Sequence, residues 1–190
     1  MVHMNVSLLR AVGWQALGAA FCAAVSFALL LLLGRVLGGE AFGRYVLLLN
    51  AASLGLVLIE AGWPTLLYRQ GVQLGVDSGE GLALTGAALL HVLVVTGLLG
   101  ALAMSVLRAD ALAMAVALGC MGCVAAMNLV SGRMRAAGLF GLEAVWQSAG
   151  RGLSAGLIAL VVLVPGWHDL GAIFAAWALG LLMVMALGGR

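Results

Sequence analysis

Glu60, His91 and Arg151 carry ionisable side chains inside stretches built of Leu, Val, Ala and Gly. A charge at the centre of a bilayer costs about 2.5–3.5 kcal/mol on insertion scales, so a group in such a place marks a pathway, a binding site or an ion pair. Counted along helices at 1.5 Å per residue, Glu60 lies roughly 12 Å from the inner end of its stretch, and His91 and Arg151 each roughly 13 Å from theirs. The three therefore fall in one layer, where Glu60 and Arg151 are expected to approach each other. Gln15, Asn128 and Gln147 fall in the same inner halves, whereas the outer halves hold little beyond Asn50. Polar groups gathered in one leaflet predict a water-filled cavity open toward the cytoplasm, since each would be unsatisfied against lipid. The alternative is a structural ion pair, with the amides holding helices together. Glu60 and His91 are candidates for proton or ion coupling, although a single His on an apolar helix is more often a packed, hydrogen-bonded residue.

The elements that must position these residues are read from uncharged runs. Residues 11 to 34, 81 to 107, 111 to 132 and 170 to 189 contain no Arg, Lys, Asp or Glu. About 20 apolar residues cross the ~30 Å hydrocarbon layer, and only a structure that closes its backbone hydrogen bonds internally survives there. The expected fold is an all-α integral membrane protein, a single domain over 1–190, with six transmembrane helices at about 11–33, 45–67, 82–106, 111–132, 142–164 and 170–188. At 65% hydrophobic and 8% charged, the chain leaves little for a soluble domain. The N-terminal run exceeds the apolar core of a signal peptide and reads as an uncleaved first span. Arg10, Arg69, Arg133, Arg135 and Arg190 fall on one side, against Arg35, Arg44 and Arg108 on the other. This excess puts both termini in the cytoplasm. Tyr45 and Tyr68 bracket the second span at interfacial positions, residues 69–80 form an inner loop, and Pro165-Gly166 closes the fifth span.

Pro64 lacks the N–H that would bond the carbonyl of Glu60, so a kink beside the carboxylate is expected, with Pro64 as a hinge. Gly18, Gly55 and the stretch Gly97 to Gly100 predict closely packed helix faces. Cys22, Cys120 and Cys123 lie in apolar runs. Cys120 and Cys123 have CxxC spacing, but no second ligand pair completes a metal site, so neither metal nor cofactor is expected. The Arg residues are dispersed, which argues against a nucleic-acid partner. An enzyme acting on lipid-linked substrates would need acid, base and metal groups gathered at the interface. The loops offer only scattered Asp77, Glu80, Asp110 and Asp169, so no enzymatic activity is expected.

The connection after the first span carries a pattern: Arg35, Leu37, Gly38, Phe42, Gly43 and Tyr45. It resembles the R-x-L-G-x-x-x-F-G-x-Y loop of Wzx-type polysaccharide flippases, in the multidrug/oligosaccharidyl-lipid/polysaccharide exporter superfamily. Ala61-Gly62 with Leu66, Leu67 and Arg69, and the stretch from Asn128 to Arg151 with Arg133 and Arg135, are also similar to that family. The likeness runs along the whole chain in span order. It implies translocation of an undecaprenyl-diphosphate-linked oligosaccharide across the bacterial cytoplasmic (inner) membrane by alternating access between two helical lobes. Membrane lipids and the lipid-linked substrate are then the partners. Arg forks suit phosphate oxygens, which makes Arg151 the first candidate for the diphosphate and Arg69, at the inner mouth, the second. Glu60, Asn128, Gln147 and Gln15 complete the expected substrate-binding set. The family has two lobes and this chain matches the first, so a second lobe is expected from a longer chain or a second copy. Two other readings stand beside this one: a cation-coupled drug or small-molecule exporter of the same superfamily, and a membrane assembly subunit without transport.

Overall fold

In a computed structural model the described residues are 6–76, 78–107, 109–164 and 169–188, with side chains described from Val12 onward. They form six α-helices: α1 (Val6–Glu60), α2 (Trp63–Leu74), α3 (Gly79–Val106), α4 (Ala111–Ala136), α5 (Phe140–Leu163) and α6 (Leu170–Gly188). No strand occurs among the described residues. Five long helical stretches are apolar enough to cross a membrane, the first of them running from α1 into α2. Their surfaces expose Leu17, Phe27, Leu47, Leu54, Leu93 and Leu98, as lipid-facing helices do.

The expected six separate helices are corrected at the N-terminus. The first two spans share one 55-residue element, within which Gly38 alone departs from helical geometry (φ 73°, ψ 170°). A straight helix of that length would reach roughly 80 Å, far beyond a bilayer. The packing partners show that it does not run straight. Trp14, Gly18 and Phe21 lie beside Gly141, Ala144 and Gly152, so the first half of α1 runs parallel to α5. Arg44, Gly55 and Glu60 lie beside Asp110, Leu118 and Asn128, so the second half runs parallel to α4. α4 and α5 are themselves antiparallel, because Arg135 meets Glu143 and Met127 meets Gly150. The two halves of α1 thus run in opposite directions, and the reversal falls at Gly38. Only a residue without a Cβ takes that backbone at little cost.

Pro64 does not kink a continuing helix. Ala61 (φ 43°) and Gly62 (φ 78°) end α1 in the left-handed region, and Pro64 sits in the first turn of α2, where its missing N–H is no loss. The expected second span, 45–67, therefore crosses a break, and much of the expected inner loop 69–80 is helical. α3 opens on Ser78, whose Oγ accepts from the Gly81 N–H at 3.0 Å. α6 opens on Asp169, whose Oδ2 accepts from the Ala172 N–H at 3.1 Å. The remaining four spans agree with the helices to within a few residues. Asp77, Arg108, Pro165, Gly166 and Arg190 lie outside the described residues.

α4 is the centre of the bundle, in contact with every other helix. Its buried face is built of Ala117, Cys120, Gly122, Ala125 and Leu129. Small residues let neighbours approach: a Cβ at Gly122 would stand 2.7 Å from Thr96 Oγ1, and one at Gly132 would stand 2.8 Å from the Pro64 carbonyl oxygen. Gly18 and Gly55 make the expected close contacts, with Ala144 and Leu118, but Gly97 and Gly100 face open space. Tyr45 is no interfacial anchor. It is 2% exposed and stacks between Phe42 and Phe174, its ring 5.3 Å from that of Phe174, which fastens the chain after the Gly38 reversal to α6.

Gly180 offers the sharpest packing test, because an added Cβ would stand 2.6 Å from the Ser154 Cα. Gly180→Ala should lower stability by about 1–3 kcal/mol. Gly97→Ala should leave it unchanged or slightly raised. Thermal unfolding in detergent micelles compares the two.

Candidate functional site

On α5, Glu143, Gln147, Arg151 and Ser154 follow one another at spacings of four, four and three residues and so share a face. On α4, Asn128, Ser131 and Arg135 do the same. Where these faces meet the two halves of α1, their side chains join into a polar seam. The Asn128 Nδ2 donates to Glu60 Oε1 at 2.6 Å. The Gln147 Nε2 donates to Ser131 Oγ at 2.6 Å and lies 3.3 Å from Asn128 Oδ1. Nearer the start of α5, the Gln15 Nε2 donates to the Glu143 carboxylate and, at 3.3 Å, to the Phe140 carbonyl. Arg135 Nε stands 4.0 Å from Glu143 Oε1 and donates to the Ser131 carbonyl at 3.3 Å. Its α5 members, Glu143 and Gln147, are one turn apart, roughly 6 Å along the helix.

Of the residues singled out in the sequence, the fold brings Gln15, Glu60, Asn128 and Gln147 into this seam. Arg151 lies one turn beyond Gln147 on the same face, with its guanidinium carbon 5.2 Å from the Trp177 ring centroid. The expected pairing of Glu60 with Arg151 is not formed. Among the described residues no ion pair joins them, because Asn128 takes the carboxylate and Trp177 the guanidinium. His91 is also separate: its ring Nε2 donates to the Leu58 carbonyl at 3.3 Å and its ring leans on Trp63, an anchor between α3 and α1. Arg69 is exposed on α2, away from the seam. Pro64 is outside the seam but next to it, since its carbonyl packs on Gly132 of α4.

In place of the expected large water-filled cavity there is a small space. The polar space bordered by Gln15, Cys22, Glu143 and Gln147 amounts to about 170 Å³. That is below the several hundred Å³ of most ligand sites, because side-chain hydrogen bonds fill much of the seam. Three members escaped the sequence reading: Glu143, which is 6% exposed, Ser131, which is 1% exposed, and Arg135 in its role as partner to both. The signal was available, because Glu143 precedes Gln147 and Arg151 at helical spacing. Among the described residues no three His, Cys, Asp or Glu side chains gather as metal ligands.

Fold and site together describe a multi-helix protein compatible with several membrane crossings and a polar seam between its helices. No protein-family model, curated protein or solved structure matches the chain.

Asn128 links Glu60 to Gln147, so its loss strands the carboxylate. Asn128→Ala should destabilise the protein by about 1–3 kcal/mol. Combined with Glu60→Ala, the penalty should be less than additive, since both changes break one bond. Denaturation in micelles of the two single variants and the double variant measures this coupling.

Proposed function

We propose that this chain is one helical lobe of a transporter in the bacterial cytoplasmic membrane, with both termini cytoplasmic and no enzymatic activity. Its cargo is an undecaprenyl-diphosphate-linked oligosaccharide, which it passes from the inner to the outer leaflet by alternating access against a second lobe. The observation that carries this reading is the placement of Arg151. Its guanidinium carbon lies 5.2 Å from the Trp177 ring centroid, midway along a helix apolar enough to cross a membrane, and among the described residues no carboxylate forms an ion pair with it. A cation so placed has donors to offer an anion entering from outside the bundle, and a guanidinium fork suits phosphate oxygens. The loop residues Arg35, Leu37, Gly38, Phe42, Gly43 and Tyr45 support the same reading through their likeness to flippases. Gln147, Asn128 and Gln15 supply amides of the kind that meet sugar hydroxyls.

One observation favours a second reading, a cation-coupled exporter of small molecules. In the tightest cluster, Glu60 with Asn128, Gln147 and Ser131, the side chain hydrogen-bonded to the carboxylate is a neutral amide. Such a group accepts a cation or a proton more readily than a diphosphate.

The two readings part on which charge matters. In vesicles containing the complete transporter, Arg151→Ala should slow translocation of lipid-linked oligosaccharide roughly ten- to a hundredfold, the loss expected for hydrogen bonds to a charged group. Insertion and thermal stability should be kept. Normal translocation by Arg151→Ala, with export of an organic cation abolished by Glu60→Gln, would replace the flippase reading with the exporter.

A further inference from the structure

The contact between α1 and α5 has a cavity on each side. One, of about 530 Å³, is an outward groove bordered by Trp14, Leu17, Phe21, Val145, Ala149 and the single hydroxyl of Ser148. Trp14, Leu17 and Phe21 are exposed there, on helices whose composition suits a hydrocarbon medium. The other, of about 170 Å³, has Gln15, Glu143 and Gln147 on its border, and Gln147 is hydrogen-bonded onward through Asn128 to Glu60. Gly18 and Ala144 border both. A Cβ at Gly18 would stand 3.1 Å from that of Ala144, so one contact between small residues separates an apolar groove from a polar interior.

We propose that this contact is the doorway through which the head group of a membrane lipid reaches the polar seam, while its hydrocarbon chain stays in the outer groove. The first half of α1 meets α5 along one face, Trp14 at Gly141, Gly18 at Ala144 and Phe21 at Gly152. From Val12 to Arg44 only Leu33 is buried. Beyond that, Gln15 ties the inner end of the helix to Glu143 and to the Phe140 carbonyl, and the reversal at Gly38 supplies a point of rotation. Opening the contact merges the two cavities into one slot that is apolar on the outside and polar within, the shape an amphiphile needs. The polar side suits hydroxyls: the Glu143 carboxylate, with Arg135 Nε 4.0 Å away, and the carboxamides of Gln15 and Gln147 offer acceptors and donors. The ligand class is therefore a lipid with a hydroxylated, sugar-like head. This deepens the transport reading by naming the route its cargo takes.

The test measures access, not transport. In the full chain with Cys22, Cys120 and Cys123 changed to Ala, Gly18→Cys and Ala144→Cys place two thiols within reach of a disulfide across the doorway. The protein is placed in phosphatidylcholine vesicles with a glycolipid carrying a photoreactive group either in its sugar or in its chain. Reduced protein should be labelled by the sugar probe on the α5 segment holding Glu143 and Gln147, and oxidation should cut that labelling roughly tenfold. The chain probe should label the groove in both states. A control disulfide between Thr96→Cys and Gly122→Cys, across α3 and α4, should change nothing. Equal sugar labelling of reduced and oxidised protein overturns the doorway. The flippase reading then stands or falls on Arg151→Ala alone.

Discussion

A polar side chain on a helix surrounded by hydrocarbon has no water to turn to, so it must find its partner on another helix. The helices here are long and apolar enough to cross a membrane, and their polar side chains follow that rule. Glu60 on α1 meets Asn128 on α4, Asn128 and Ser131 meet Gln147 on α5, and Glu143 on α5 meets Gln15 back on α1. Each bond crosses between helices, and together they tie both halves of α1 to the central pair. The apolar contacts give these helices no comparable preference for one another, because lipid chains are as apolar as Leu. Close packing at glycines contributes the fit, and the polar seam contributes the register.

Most of the helices were legible in the sequence because the signal for them is length and apolarity, which need no partner. α3 to α6 fall within a few residues of the uncharged runs that mark them. Errors arose where local geometry, not composition, decided the outcome. Gly38 was read as one of several loop glycines, yet it alone reverses the chain while the residues around it stay helical, as no window of hydropathy can reveal. Tyr45 looks interfacial by its place at the end of a span, but the reversal turns it inward onto Phe174.

For the site, depth along a helix was readable and azimuth was not. Counting residues put Glu60 and Arg151 at similar heights. Whether they meet depends on which side of each helix they occupy and on what competes for them. Asn128 lies nearer in the required direction for Glu60, and Trp177 for Arg151, so two charges that would have neutralised each other are kept apart. A lone cation over an aromatic face keeps hydrogen-bonding capacity that an ion pair would have consumed.

The break after Glu60 joins the fold to the site. Ala61 takes a left-handed backbone that disfavours any residue with a Cβ by about 1–2 kcal/mol, and it persists because both flanks are held. Ahead of it Glu60 is bonded to Asn128, and behind it the Pro64 carbonyl rests on Gly132. Asn128 and Gly132 are four residues apart on one face of α4, so a single helical turn grips the chain on either side of its strained point. Releasing Glu60 from Asn128, by a cation, a proton or a competing hydroxyl, frees one of the two grips. α2 itself stays docked beyond the break, because Leu67 is 3% exposed, Trp63 leans on His91 and Gly71 lies against Ala136, so the strain at Ala61 is held by the packing of a whole helix as well as by the polar seam.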